Sequence, residues 1–358
     1  MKALAAYVSV SLFFSSMTYA QAPATKEALT HRLEAIAAAY TAESPEAPFS
    51  GTVLVTLADR PLLDRGYGLA NRDWNIPNTP EVKFRLGSLT KQFTAVLILL
   101  LQQDGKLSIS DPVSKYLPDS PKAWETITIA NLLGHTSGIP DFLDDPAFGV
   151  WAMSPHSPAE ELAFFRDRPL QFQPGWFSYS NSNYEVLGDV IEKVSGQSYS
   201  EMLRTRIFEP LGMKGSGLDT DSLILPQRAE GYTQSRSGVV RAKSISMSVP
   251  WAAGSIYSTT GDLLLWERGL FGGTLLNEAS LKAMNRPGEG DYGLGVMVKQ
   301  RNGVTVVFHN GSVSGFNTFL AYIPERKATV TVLCNMNGGA ARLMGAELVD
   351  ELLAEPIP

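Results

Sequence analysis

A single cysteine, Cys334, stands among the 358 residues, so no disulfide can close within the chain. Its place in the apolar run 328–334 marks it as a buried strand thiol rather than a nucleophile. Histidine is almost as scarce. The four histidines stand at no ligand spacing of the His-Glu-x-x-His kind, so neither a metal nor any other cofactor is expected. No Gly-x-Ser-x-Gly elbow occurs, which speaks against an α/β-hydrolase, and there is no Walker-type phosphate loop. Gly288-x-Gly290-x-x-Gly293 matches a dinucleotide pattern in letters only, because it leads into a strand instead of opening a helix. Basic clusters are missing as well: 30 Lys and Arg face 36 Asp and Glu, a formal net charge of −6, which excludes nucleic acid as a partner.

What is present begins at the N-terminus. Met1-Lys2, an apolar stretch over 3–14 and a small residue at Ala20 read as a secretory signal peptide, too short to span a bilayer. Cleavage after Ala20 would leave one domain over 21–358, secreted, with a periplasm as its compartment and no membrane anchor. The periodicities then predict a helix over 25–42 and a hairpin over 51–70, followed by a buried helix that begins at Ser88 and ends near Asp104. Helical signals dominate 108–290. Strands return over 292–299, 304–308, 316–323 and 328–334, and a helix over 341–353 closes the chain. Strands at both ends with helices between them give an α+β fold: one antiparallel sheet built from the N- and C-terminal strands, flanked by helices, with a mostly helical lobe inserted.

Chemistry gathers at three places. Ser88-x-x-Lys91 opens the buried helix, and residues i and i+3 share a helix face, so the Lys91 amine stands beside the Ser88 hydroxyl. A hydroxyl is a weak nucleophile until a neighbouring amine of lowered pKa takes its proton. Tyr179-Ser180-Asn181 lies in a loop before a helix, and His309-Asn310-Gly311 stands at the end of the strand over 304–308. Acyl transfer needs a nucleophile, a proton carrier, an oxyanion hole and a group that orients the acyl portion. Ser88 is the candidate nucleophile. Lys91 and Tyr179 would share the proton work, with Tyr179 anionic or poised by the lysine charge. Asn181 would bond Lys91 and the substrate amide, although asparagine at this position could equally cap the helix that follows. His309, Gly311 and Ser312 would form the far wall, and the amides of Ser88 and Ser312 are the candidate oxyanion hole. His135 reads as a structural loop residue.

These three motifs resemble those of the serine β-lactamase-related hydrolases, the class C-type group that includes DD-peptidases, D-aminopeptidases and serine esterases. The resemblance extends to Phe84-Arg-Leu-Gly-Ser-Leu-Thr-Lys91, Leu132-Leu-Gly-His-Thr-Ser-Gly-Ile-Pro140 and Ile207-Phe-Glu-Pro-Leu-Gly-Met213, and covers nearly the whole mature chain. It implies a β-lactamase/transpeptidase-like fold and an acyl-enzyme on Ser88. The substrate would be an amide or ester: a D-amino-acid peptide, a peptidoglycan-derived peptide or a small ester. A penicillin-binding sensor and a true β-lactamase are the alternatives. Where β-lactamases carry Lys-Thr-Gly, this chain has His309 in place of the lysine, which speaks against efficient β-lactam hydrolysis. The oligomeric state is not readable from the sequence.

Overall fold

The computed structural model describes residues 25–41 and 49–355; the expected signal segment lies outside them. Strands β1 (Gly51–Leu57), β2 (Arg60–Tyr67), β3 (Met297–Arg301), β4 (Val304–Val313), β5 (Phe316–Ile323) and β6 (Ala328–Cys334) form one antiparallel sheet in the order β3-β4-β5-β6-β1-β2. The two chain ends meet where β1 pairs with β6, with Gly51 opposite Cys334 and Val55 opposite Val330. Every residue of β5 and β6 is buried, as a strand covered on both faces must be. The apolar side chains therefore run almost continuously instead of alternating.

Helix α1 (Lys26–Thr41) and the C-terminal helix Ala340–Ala354 cover one face of the sheet. The inserted lobe covers the other. Its axis is α2 (Thr90–Gln103), buried on all sides from Thr90 to Leu101, which is why its sequence shows no polar stripe. Fully burying each of its leucines stabilises the fold by roughly 1.5–3 kcal/mol. The ring of Phe93 stacks on Trp266 at a centroid distance of 3.9 Å, locking the helix to the lobe. The expected architecture is thus the observed one.

Three local expectations need correction. Residues 292–296 form a turn, closed by Gly293 N–H donating to the Val296 carbonyl at 2.8 Å, so the edge strand starts only at Met297. Within the helical stretch the sequence suggests over 108–290, residues 199–208 do not form one α-helix but divide into Tyr199–Leu203 and a wide π turn over Arg204–Phe208. The middle of the chain also holds two small sheets that its helical signals hid: Phe84–Arg85 with Ile256–Ser258 and Gly217–Leu218, and the hairpin Tyr232–Ser235/Gly238–Arg241. Strands of two to four residues are too short to show a period.

Candidate active site

Ser88 sits in a single 3₁₀ turn, Gly87–Leu89, that feeds directly into α2. Leu86 N–H donates to the Ile256 carbonyl at 2.8 Å, and Thr90 Oγ1 accepts from Ile256 N–H at 3.1 Å. The small three-stranded sheet thereby ties the nucleophile turn to the segment around Ala253. Gly87 adopts φ +57°, and a Cβ there would meet the Ser312 amide nitrogen at 2.7 Å. Gly311 approaches from the other side: a Cβ on it would lie 2.0 Å from the Leu86 carbonyl oxygen and 3.1 Å from Ser88 N. Two glycines thus let the backbone of β4 pass against the serine turn. The pairing of β3 with β4 ends at Met297–Phe308, so His309–Val313 runs on beyond its edge neighbour.

Lys91 is fully buried, and its Nζ has three neighbours. They are Asn181 Oδ1 at 2.7 Å, the Ala253 carbonyl at 2.9 Å and Ser88 Oγ at 3.1 Å. The first two can only accept. In the neutral amine the two N–H bonds go to those oxygens, and the lone pair is left facing the serine hydroxyl. Burial pushes the amine down to about 7, partly offset by the nearby carboxyls of Asp141 and Glu185. Lys91 can therefore lose its proton near neutral pH. Asn181 stands at the N-cap of the helix Ser182–Ser195, but its side chain makes no capping bond. Its Nδ2 donates to Asp141 Oδ2 at 2.8 Å, which turns Oδ1 toward Lys91. Asp141 is in turn held by Leu143 N–H at 3.1 Å, and burial raises its carboxyl above the usual range. Sequence reasoning missed Asp141: it stands 40 residues from Asn181, and its one local mark is that it follows the Gly138-Ile139-Pro140 turn.

Tyr179 lies with its ring centroid 5.0 Å from Lys91 Nζ, and its hydroxyl is hydrogen-bonded to Ser88. Burial raises the phenol above its ordinary value, more than the bond to Ser88 lowers it. It is therefore a neutral phenol, which of the two expected states leaves the poised one and not the anion. The amine, not the phenol, is the group poised to accept a proton. His135 backs this ring at 4.2 Å between centroids, and its Nδ1 accepts from Ser180 N–H at 3.1 Å. It is the structural loop residue the sequence suggested.

His309 is placed differently from expectation. It is only 3% exposed. Its Nδ1 donates to the Asn310 carbonyl at 2.6 Å, which leaves Nε2 to accept from the Tyr292 hydroxyl at 3.0 Å. Both ring nitrogens are engaged behind the wall, so the imidazole offers a substrate no free polar atom. Burial and the Lys91 charge push it down to about 3. A titration of kcat/KM should accordingly show one rising limb near pH 7, where Lys91 loses its proton, and no histidine limb between pH 4 and 6. A limb near 6 that disappears in His309→Gln would contradict this assignment.

The structure brings Ser88, Lys91, Tyr179, Asn181, Gly311 and Ser312 together. A cleft of about 320 Å³ opens beside them, walled by Phe142, Leu143, Phe148, Ile245, Val249 and Val313, with no charged residue in its lining. A larger cavity of about 580 Å³ lies in the helical lobe between Leu117, Trp124 and Lys193, and holds none of these groups. Among the described residues no cluster of His, Cys, Asp and Glu could hold a metal ion, and no helix is long and apolar enough to cross a membrane.

Comparison with known proteins gives the same picture. The family profile described as Beta-lactamase matches residues 37–354. Penicillin-binding protein 4* of Bacillus subtilis (strain 168) is 30% identical over 308 residues, 79% of this chain and 67% of that protein. A D-aminopeptidase of Gluconobacter oxydans (strain 621H) is 28% identical over 351 residues, 92% of this chain and 63% of that protein. The chain thus spans about two thirds of the length of these curated relatives. Among solved structures, the D-amino acid amidase of Ochrobactrum anthropi SV3 in complex with D-phenylalanine superposes with a TM-score of 0.78 at 25% identity, covering 91% of this chain and 98% of that one.

Proposed function

Because this chain belongs to the beta-lactamase family, we propose that it is a secreted serine hydrolase that forms an acyl-enzyme on Ser88 and cleaves an amide or ester. One observation carries the reading: Lys91 Nζ is held by two carbonyl oxygens so that its third position meets Ser88 Oγ at 3.1 Å. Neutral Lys91 takes the serine proton as Oγ bonds to the substrate carbonyl carbon. The amides of Ser88 and Ser312 receive the oxyanion charge, in the region where the helix dipole is also positive. The bond to the leaving nitrogen or oxygen breaks as that atom gains a proton, passed from the Lys91 ammonium through the Tyr179 phenol. Water then attacks the ester on Ser88 by the reverse route, giving the acid and restoring the hydroxyl.

The uncharged, apolar cleft suits an uncharged group next to the scissile bond. It offers no cation for a β-lactam carboxylate, and His309 supplies none. The substrate class we favour is therefore a D-amino-acid amide or peptide, as the names of the amidase and aminopeptidase relatives suggest, or a small ester. A second reading, a protein acylated once by penicillin and slow to release it, is favoured by the relative named for penicillin binding.

Mass spectrometry after exposure to a fluorophosphonate and, separately, to a penicillin tests both. We expect a fluorophosphonate adduct on Ser88 that is absent in Ser88→Ala. A lasting penicillin adduct would move the protein to the second reading. No adduct with either reagent on folded protein would refute an activated Ser88.

A further inference from the structure

We propose that the cleft continues into a second substrate subsite that takes a carboxylate at the far end of the acyl chain, an inference that rests on the serine-hydrolase reading above. A pocket of about 270 Å³ is lined by Arg85, Arg228, Arg241 and Lys243, with Glu230 the one acid among its lining residues. Ser314 lines both this pocket and the catalytic cleft. Its hydroxyl donates to the Lys243 carbonyl at 2.5 Å, which joins the end of β4 to the segment that carries the basic residues.

The charges are only partly neutralised. Asp219 is fully buried and serves two guanidiniums at once, Arg85 at 2.7 Å and Arg228 at 3.1 Å, so one carboxylate is set against two cations. Arg241 is paired with Asp73, and Glu230 lies 3.8 Å from it. Four cations thus meet three carboxylates, on a protein whose overall balance is −6. Lys243 is exposed and stands in none of these ion pairs, so its ammonium is the charge left to receive a ligand.

The geometry sets the length of the ligand. Ser314 stands two residues beyond Ser312, in the turn that follows β4, so it lies at most about 7 Å along the chain from it. A leaving group departs, whereas the acyl group stays bound to Ser88 in the cleft that opens there. The cleft between Ser88 and the basic pocket carries no charged residue, and Val313 and Ile245 form part of its wall. The acyl chain it fits is therefore an apolar spacer that ends in an anion.

Two chromogenic esters of one length test this: mono-4-nitrophenyl suberate, with a free carboxylate, and its neutral methyl ester. The ratio of their kcat/KM values, anionic over neutral, should fall about tenfold in Lys243→Glu and stay within about twofold in Lys243→Arg. Added salt should lower the ratio in the wild-type protein and should not lower it in Lys243→Glu, where it screens a repulsion instead. An unchanged ratio in Lys243→Glu overturns the subsite while the hydrolase reading stands. Calorimetric binding of both esters to Ser88→Ala protein, where nothing is turned over, separates the two claims. If the wild-type protein hydrolyses neither ester but Ser88→Ala still binds the anionic one more tightly, and Lys243→Glu in that background removes the preference, the subsite stands and the hydrolase reading falls. Equal binding of the two esters overturns the subsite.

Discussion

Lys91→Met is expected to lower kcat/KM on any ester the protein turns over by roughly a thousandfold or more, near the upper part of what general-base catalysis contributes. Methionine matches the length of the stem and fills the buried site, so the loss would report chemistry and not packing. Fluorophosphonate labelling of Ser88 should slow in parallel, because it needs the same activated hydroxyl. The variant should also change how stability depends on pH. Burial lowers Lys91 to about 7 in the folded protein, against an ordinary value of 10.5. Between those values the unfolded chain carries a proton on this group that the folded one lacks, so stability from this group rises with pH. Below about 7 both states are protonated and the cost of burying the ammonium is present in full; above 10.5 both are neutral and it is gone. The unfolding free energy of the wild type minus that of Lys91→Met should therefore grow by up to about 1.4 kcal/mol per pH unit between pH 7.5 and 10. Denaturant titrations at three pH values measure it. A flat difference would mean that Lys91 is charged in the native protein at all these pH values, and it would remove the basis for its role as base.

The second large effect is expected at a residue without a side chain. Gly311→Ala places a methyl group 2.0 Å from the Leu86 carbonyl oxygen and 2.4 Å from Thr318 Oγ1, and that hydroxyl itself donates to Leu86 O at 2.7 Å. All three groups are buried backbone or strand contacts, so β4 must move away from the serine turn. A displacement of about 1 Å at a reacting centre costs on the order of a hundredfold in rate, and we expect kcat to fall by that factor. Overpacking should destabilise the fold by about 1–3 kcal/mol, read as a lowered denaturation midpoint. Ser312→Ala is the control. It keeps the backbone amide and removes only an exposed hydroxyl, so activity should stay within a few fold. Full activity in Gly311→Ala would show that the close approach of the two segments is dispensable, and with it the proposed oxyanion hole.

The sheet of joined chain ends, the buried helix and the pairing of Ser88 with Lys91 are legible in the residues alone. These rest on contiguous patterns: apolar runs of strand length, helical periodicity, and a spacing of three residues on one helix face. The sequence also placed Asn181 beside Lys91, because a motif resemblance can stand in for long-range contact. Which species those groups are follows from the three-dimensional packing instead. The lysine loses its proton near neutral pH and the tyrosine keeps its own because both are desolvated by residues far away in the chain, a property no local pattern carries. The same holds for partners. The Ala253 carbonyl stands 162 residues from Lys91, and Asp141 stands 40 from Asn181, so neither could be read as a neighbour. His309 shows the limit most plainly: its place in the motif suggested a hand toward the substrate, and packing against Tyr292 and the Asn310 carbonyl used both of its nitrogens.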